Sequence, residues 1–395
     1  MGEGGVGIGI LVLRIRNTIK MFINESNGIQ MDIGGGSEVD MKELTSRERI
    51  MRMYEHREAD RVPIVDNPWA GAIARWEREG MPAGMDWRDF FGADKTETIT
   101  VDISPRYEER ILEQTDEYTI ATSGWGVTMK NFHIPDSTPQ FLDFKVTGPD
   151  SWEEARARMK PDKARIDWKG LEASYEKWRR DGRWIEAGFW FGFDVAHSWM
   201  AGTENFLIAL MEEPAWAKDV FAAYLDSCTA HFDMIWDAGY RFDAICWPDD
   251  MGYKGTPFFS VETYKELLKP YHRRAVGWAH DKGIKARLHS CGYIMPLIEE
   301  ILDTGIDALN PIEVKAGMDP LVLKERYGDK LVLHGGINAV LWDDKEKILE
   351  EIARVVPVLK ENGGYVFASD HSIPNAVSLG NMQEIIAGVK AAGKY

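Results

Sequence analysis

The triplet His289-Ser290-Cys291 is the sharpest chemical signal in this chain. It ends the run "KARLH", which reads as a β-strand at residues 285–289. Side chains alternate along a strand, so residues two apart point the same way. His289 and Cys291 can therefore reach one ion together from a strand end. Imidazole and thiolate are typical zinc ligands, and a third ligand must come from elsewhere. His371, at the end of the last apolar run, is the best candidate, and Glu313, Asp249 and Asp250 can each add an oxygen. Asp249, Asp250 and Glu313 are also the candidates for acid–base work.

Each of these residues has a plainer use beside the chemical one. Cys291 can be a small buried hydrophobe, and His289 can brace a loop. Acidic pairs ahead of a turn usually cap it, so at least one of Asp249 and Asp250 is expected to do that. His334 precedes Gly335 and Gly336 and reads as structural. His197, His231, His272 and His280 fall in helical stretches, as packing or surface residues. Cys228 and Cys246 read as core, and His133 in "KNFHIP" is a weaker candidate for a pocket wall. The rings of Trp184, Phe189, Trp190, Phe191, Phe193 and Trp199 are mostly packing, with one or two expected at a rim that suits a flat or apolar ligand.

These residues need elements to hold them. From Trp184 onward, short apolar runs alternate with polar turns and helical stretches: "WIEAGFW", "DAICW", "KARLH", "DALN", "LVLH" and "YVFA" each precede a helix. Such a series predicts a parallel sheet buried on both faces. Residues 62–65 and 98–103 supply two more strands, which favours a closed (β/α)8 barrel, a TIM-type α/β fold, over an open sheet. Neither GxGxxG after a strand nor GxxxxGK[ST] occurs, so the nucleotide-binding open sheet lacks its phosphate loop. The acidic, imidazole and thiol groups cluster after successive strands. In a barrel those carboxyl ends form one rim, where the reaction chemistry is housed.

The chain has 395 residues, 47 Lys plus Arg and 64 Asp plus Glu, for a formal charge of −17. That balance excludes a basic nucleic-acid binder and disfavours anionic membrane surfaces. Three cysteines, none in a CxxC pair, make no disulfide framework and point to a reducing, cytoplasmic setting. No stretch approaches the roughly 20 apolar residues of a membrane span. Residues 6–13 lack a preceding positive charge and a small-residue cleavage pattern, so a secretory signal is not expected. Residues 1–41, rich in glycine, read as an N-terminal extension, disordered or translated from too early a start, and residues 42–395 as a single barrel domain.

The run from Cys246 to Glu313, "CWPDDMGYKGTPFF…RLHSCGY…DALNPIE", with "LVLHGGIN" and "GGYVFASDHSIPNAVSLGN", resembles the uroporphyrinogen decarboxylase superfamily. The resemblance extends back through "DEYTIATSGWGVTMKN" and covers residues 42–395. It implies a (β/α)8 barrel and one of two activities. The decarboxylase branch carries an "RQAGR" motif that binds substrate carboxylates; the matching segment here, "IVDNPWAGAIARWEREG", has Arg75 and Arg78 but not the motif. A polycarboxylate substrate needs such cationic forks. The other branch holds zinc-dependent methyltransferases that move methyl groups to or from a corrinoid protein. It carries an HxC pair and a later third ligand, usually cysteine.

His289 and Cys291 match that pair, and His371, 80 residues after Cys291, stands where the third ligand falls. Imidazole in place of a thiolate leaves a more electrophilic metal, better at polarising a methyl donor's heteroatom. The resemblance thus implies zinc held by His289, Cys291 and His371, with Glu313 as oxygen ligand, and Asp249 or Asp250 orienting substrate or handling a proton. The implied reaction moves a methyl group from a small methylated donor, a methoxylated aromatic being one option, to the cobalt of a partner corrinoid protein. The alternatives are methyl transfer from a methylcorrinoid to a thiol, and a metal-free decarboxylation. A homodimer is compatible with the sequence, which carries no motif that demands assembly.

Overall fold

The computed structural model describes residues 43–134 and 137–395, with a short antiparallel pairing of Met21–Phe22 and Gln30–Met31 before them. The chain divides into two units, Met1–Glu43 and Leu44–Tyr395. The expectation for residues 1–41 otherwise lies outside the described residues.

Seven parallel strands form the central sheet of the second unit. They are β1 (Thr96–Ile99), β2 (Trp184–Gly188), β3 (Ala244–Pro248), β4 (Lys285–His289), β5 (Ala308–Asn310), β6 (Val332–His334) and β7 (Tyr365–Val366). They lie side by side in chain order. Parallel neighbours need crossover connections, and helices supply them. Pro214–Asp237 leads into β3, Lys269–Asp281 into β4, Pro320–Tyr327 into β6 and Lys345–Leu359 into β7. Their starts are written locally: the side chains of Asp319 and Asp344 cap the last two, and Ser378 caps the final helix, Leu379–Ala392.

The two edge strands are joined by the segment 63–65. The Val65 amide donates to the Phe367 carbonyl (3.0 Å), and the Phe367 amide to the Pro63 carbonyl (2.8 Å). On the other side the Asp94 amide, two residues before β1, donates to the Ile64 carbonyl (2.9 Å). The expected strand at 62–65 is thus present as an irregular eighth stave, and the fold is the expected TIM-type α/β barrel. The strand expected at 98–103 is shifted to Thr96–Ile99, because the chain leaves the sheet after Ile99.

One end of the barrel is plugged. The helix Ser46–Tyr54 starts on a capping box between Thr45 and Glu48. Its Ile50 and Tyr54 pack with Trp184, Ala244, Ala308 and Val332, at or near the amino ends of four strands. Tyr54 stacks on Trp184 at 5.2 Å. Arg49 on the same helix is buried and pairs with Asp60 and Asp94. Among the described residues, the carboxyl ends of the strands form the open mouth.

A four-stranded antiparallel sheet, absent from the expectations above, follows β1 at that mouth. Its strands are Arg110–Gln114, Tyr118–Thr122, Val127–Phe132 and Gln140–Phe144. Most of its side chains are exposed or half-buried. No helix among the described residues is long and apolar enough to cross a membrane.

Candidate metal centre and its two cavities

The HxC pair sits where alternation places it. His289 is the last residue of β4, and the Cys291 Sγ lies 3.4 Å from its Nε2. Ser290 between them turns away, is buried, and accepts a hydrogen bond from the Met251 amide. Asp250, beyond the end of β3, brings a carboxylate oxygen to 3.7 Å from the same Nε2. That oxygen also accepts the Cys291 amide (2.7 Å), so the two loops hold each other. The ligand atoms of Asp250, His289 and Cys291 all lie within 4.8 Å of one another.

Glycine makes this meeting of loops possible. Gly292 has φ +81°, and a Cβ on it would come 2.2 Å from the Gly252 backbone. The Gly252 amide donates to the Cys291 carbonyl, and the Tyr293 amide to the Tyr253 carbonyl. Side chains at either glycine would push the thiol away from Asp250.

Asn310 sets the tautomer of His289. β5 runs beside β4 with Asn310 opposite His289. The Asn310 amide nitrogen donates to the His334 carbonyl, so its oxygen faces His289 Nδ1 at 2.7 Å. Nδ1 therefore carries the proton, and the Nε2 lone pair faces Cys291 and Asp250. Burial holds the imidazole pKa down, favouring the neutral form that binds metals. Burial, then Asp250 and Glu313, hold the Cys291 thiol pKa up. A thiol and a carboxylate packed together at a strand end lack a positive partner in the trio. A bound divalent cation is the partner that would let the thiol ionise. A nitrogen, a sulfur and an oxygen donor with room for a further ligand is the donor set of a zinc site with an open position, so these residues fit zinc.

The other expected site residues are placed differently. His371 lines the same cavity, exposed, with its ring 5.8 Å from that of Trp69, and is outside the close trio. Glu313 faces the Gly292 amide and Lys315, bracing the Cys291 loop from behind, and it lines a separate cleft. The oxygen donor brought to the pair is Asp250, one of the two other candidates. Asp249 is fully buried behind β3. It pairs with His272 Nε2 (2.7 Å) and accepts the Asp194 amide (2.8 Å), while His272 Nδ1 meets the Tyr264 hydroxyl (3.0 Å). It is the member of the acidic pair that holds structure. His334 donates to the Val65 carbonyl (2.9 Å), the structural part expected for it. His133 lies on an exposed turn against Thr119 and Asp116. Cys228 is core, whereas Cys246 departs from its core reading and forms cavity wall. Its side chain follows the inward alternation of β3.

Besides the cleft beside Glu313, two cavities open at the mouth among the described residues. The first, about 470 Å³, contains the trio together with Glu186, Arg287, Asn310, His334 and His371. Arg287 is paired with Glu186 across its floor, with Nε to Oε1 at 3.0 Å. Arg75, in contrast, binds Glu79 and chain carbonyls, and neither it nor Arg78 lines this cavity. The second cavity, about 350 Å³, shares the wall of Thr98, Cys246 and Pro248 and adds Val101, Ile103, Trp125 and Trp190. Sequence reasoning missed Asn310 and Trp125. Asn310 is legible only once β4 and β5 are known to be neighbours, since it then stands level with His289.

The family model for uroporphyrinogen decarboxylase (URO-D) matches residues 187–392. Among curated proteins, none matches this chain. A solved methyltransferase from Methanosarcina mazei superposes with a TM-score of 0.57 at 16% identity, over 88% of this chain and 99% of that one. A sugar phosphate isomerase/epimerase from Parabacteroides distasonis covers 56% of this chain and 76% of its own, at 12% identity and a TM-score of 0.31. The first likeness is one of fold, and the second carries no argument. The HxC segment, the strands around it and both cavities' shared wall fall mostly inside the matched span, and the chain belongs to the uroporphyrinogen decarboxylase (URO-D) family.

Proposed function

We propose that this chain is a zinc-dependent methyltransferase that passes a methyl group from a small methylated donor to the cobalt of a corrinoid protein. The observation that carries the reading is the gathering of Asp250, His289 and Cys291 at one point of the barrel mouth. Those three residues would hold the metal, with His371 of the same cavity as a fourth donor only while no substrate is bound. Bound zinc supplies Lewis-acid polarisation of the donor's heteroatom. The fold of the Methanosarcina mazei methyltransferase, similar over most of both chains, is in keeping with this.

The chain's own residues do the rest. Asn310 fixes the His289 ring, Glu313 and the Gly252–Gly292 contact fix the Cys291 loop, and the cavity walls orient the donor. In the transfer, the carbon–heteroatom bond breaks and its electron pair stays on the heteroatom. The cobalt(I) acceptor contributes the pair of the new cobalt–carbon bond and becomes formally cobalt(III). The released heteroatom then takes up one proton. One thiolate beside imidazole and carboxylate makes a more electrophilic site than several thiolates would, which favours this direction over methylation of a bound thiol. Decarboxylation of a polycarboxylate has less support, because Arg287 is already paired with Glu186 and Arg75 is held elsewhere.

The test is methyl transfer from candidate donors to a cobalt(I) corrinoid by zinc-loaded protein, beside a sample stripped with chelator. Transfer that needs zinc supports the reading. Activity on a carboxylated substrate that persists in chelator would replace it with the decarboxylase.

A further inference from the structure

The second cavity has a chemistry of its own. Trp125, Trp190, Val101 and Ile103 give it apolar walls, and Thr98 and Thr100 are its hydroxyl-bearing residues. Among the described residues, no Lys, Arg or His lines it. Its one charged residue, Asp102, already accepts from Ser104 (2.6 Å) and Arg106. It is open because β2 has a glycine at its mouth end: a Cβ on Gly188 would come 2.9 Å from the Thr98 methyl. Trp125 comes from the antiparallel insert and Trp190 from the loop after β2, so the chamber forms only where insert and barrel meet. Both rings are braced, Trp125 edge-on to Tyr224 at 5.6 Å and Trp190 against Trp199 at 5.9 Å.

Size selects among methyl donors. An apolar cavity of about 150 Å³ accepts benzene, and this chamber has about 350 Å³. A one-carbon donor such as methanol would leave it nearly empty. An anionic ring would enter without a cation to meet it.

We infer that this chamber seats the uncharged ring of a methoxylated aromatic donor, with its methoxy group reaching past Thr98, Cys246 and Pro248 toward the Asp250–His289–Cys291 cluster. The inference rests on the methyltransferase reading and names its substrate class.

Equilibrium dialysis of 2-methoxyphenol against zinc-loaded full-length protein tests it, with zinc content assayed on every sample. Wild type should bind saturably, and 3-methoxybenzoate should bind at least about tenfold more weakly, one factor of ten being the scale of a single lost favourable contact. Trp125→Ala and Trp190→Ala should each weaken 2-methoxyphenol by about tenfold or more at unchanged zinc content. Phe132→Ala, on the same insert but outside the chamber, should bind as wild type does. Two tryptophans on different segments guard against misfolding of either variant, and near-ultraviolet circular dichroism reports it. No saturable binding by zinc-loaded wild type, or equal binding by both tryptophan variants, would overturn the inference. Equal binding of the benzoate would overturn the uncharged class. Ring binding through the tryptophans in protein that takes up no zinc would keep the chamber and sink the metal reading instead.

Discussion

Asp249 and Asp250 are adjacent in the chain and serve two different regions of the molecule. Asp249 points behind β3 into a closed network with His272, Tyr264 and the Asp194 amide. Asp250 points into the mouth, beside His289 and Cys291. The first carboxylate has its partners supplied by the fold and lies at 0% exposure. The second shares its cluster with a thiol and a neutral imidazole and faces a cavity. Alternation at a strand end is enough to separate a residue that holds the barrel from one that waits for a ligand. The same contrast recurs between Glu313, turned to Gly292 and Lys315, and Cys291, turned to the cavity.

The comparison breaks most easily at its buried side. Asp249→Ala should cost about 3 kcal/mol of stability, because His272 and the Asp194 amide are left buried without their acceptor. Asp250→Ala should cost about 1 kcal/mol or less while lowering zinc affinity. Chemical denaturation of the two variants checks this, and equal losses would erase the distinction. Asn310→Leu comes next. It should keep the fold and weaken zinc binding by about 10- to 100-fold, the usual effect of removing the hydrogen-bond partner of a ligating histidine. Competition with a chromophoric chelator measures it.

A further test of the buried side concerns pH. Burial lowers the His334 pKa from 6.5 to about 4. A depressed value means the unfolded chain takes up the proton first, so stability is full above about 6.5 and is lost as pH falls toward 4. The melting temperature should therefore drop across that window, and His334→Gln should flatten the drop. His197, lowered the same way by burial, should leave part of it in place. A slope unchanged in His334→Gln would contradict the placement of that ring.

Much of the barrel was legible because its strands are buried on both faces and read as short apolar runs. β4 matches its expected bounds, and β3, β5 and β6 lie within a residue of theirs. The antiparallel insert was not legible, since its strands are half-exposed and carry no apolar face to betray a period; Arg110–Gln114 is exposed throughout. The HxC pair followed from local alternation alone. The choice between Asp250 and Glu313 did not, because it depends on how two loops from different strands approach through Gly252 and Gly292. The role of Asn310 depended on register between strands, which no single segment encodes.

The most direct test of the central claim is zinc per chain, measured on wild type and on Cys291→Ala by elemental analysis after purification without chelator. The account predicts close to one zinc per chain in wild type and almost none in the variant, with both folded by circular dichroism. Wild type that stays free of zinc after the metal is supplied, or a variant that retains it fully, would contradict the assignment of Asp250, His289 and Cys291 as a metal centre.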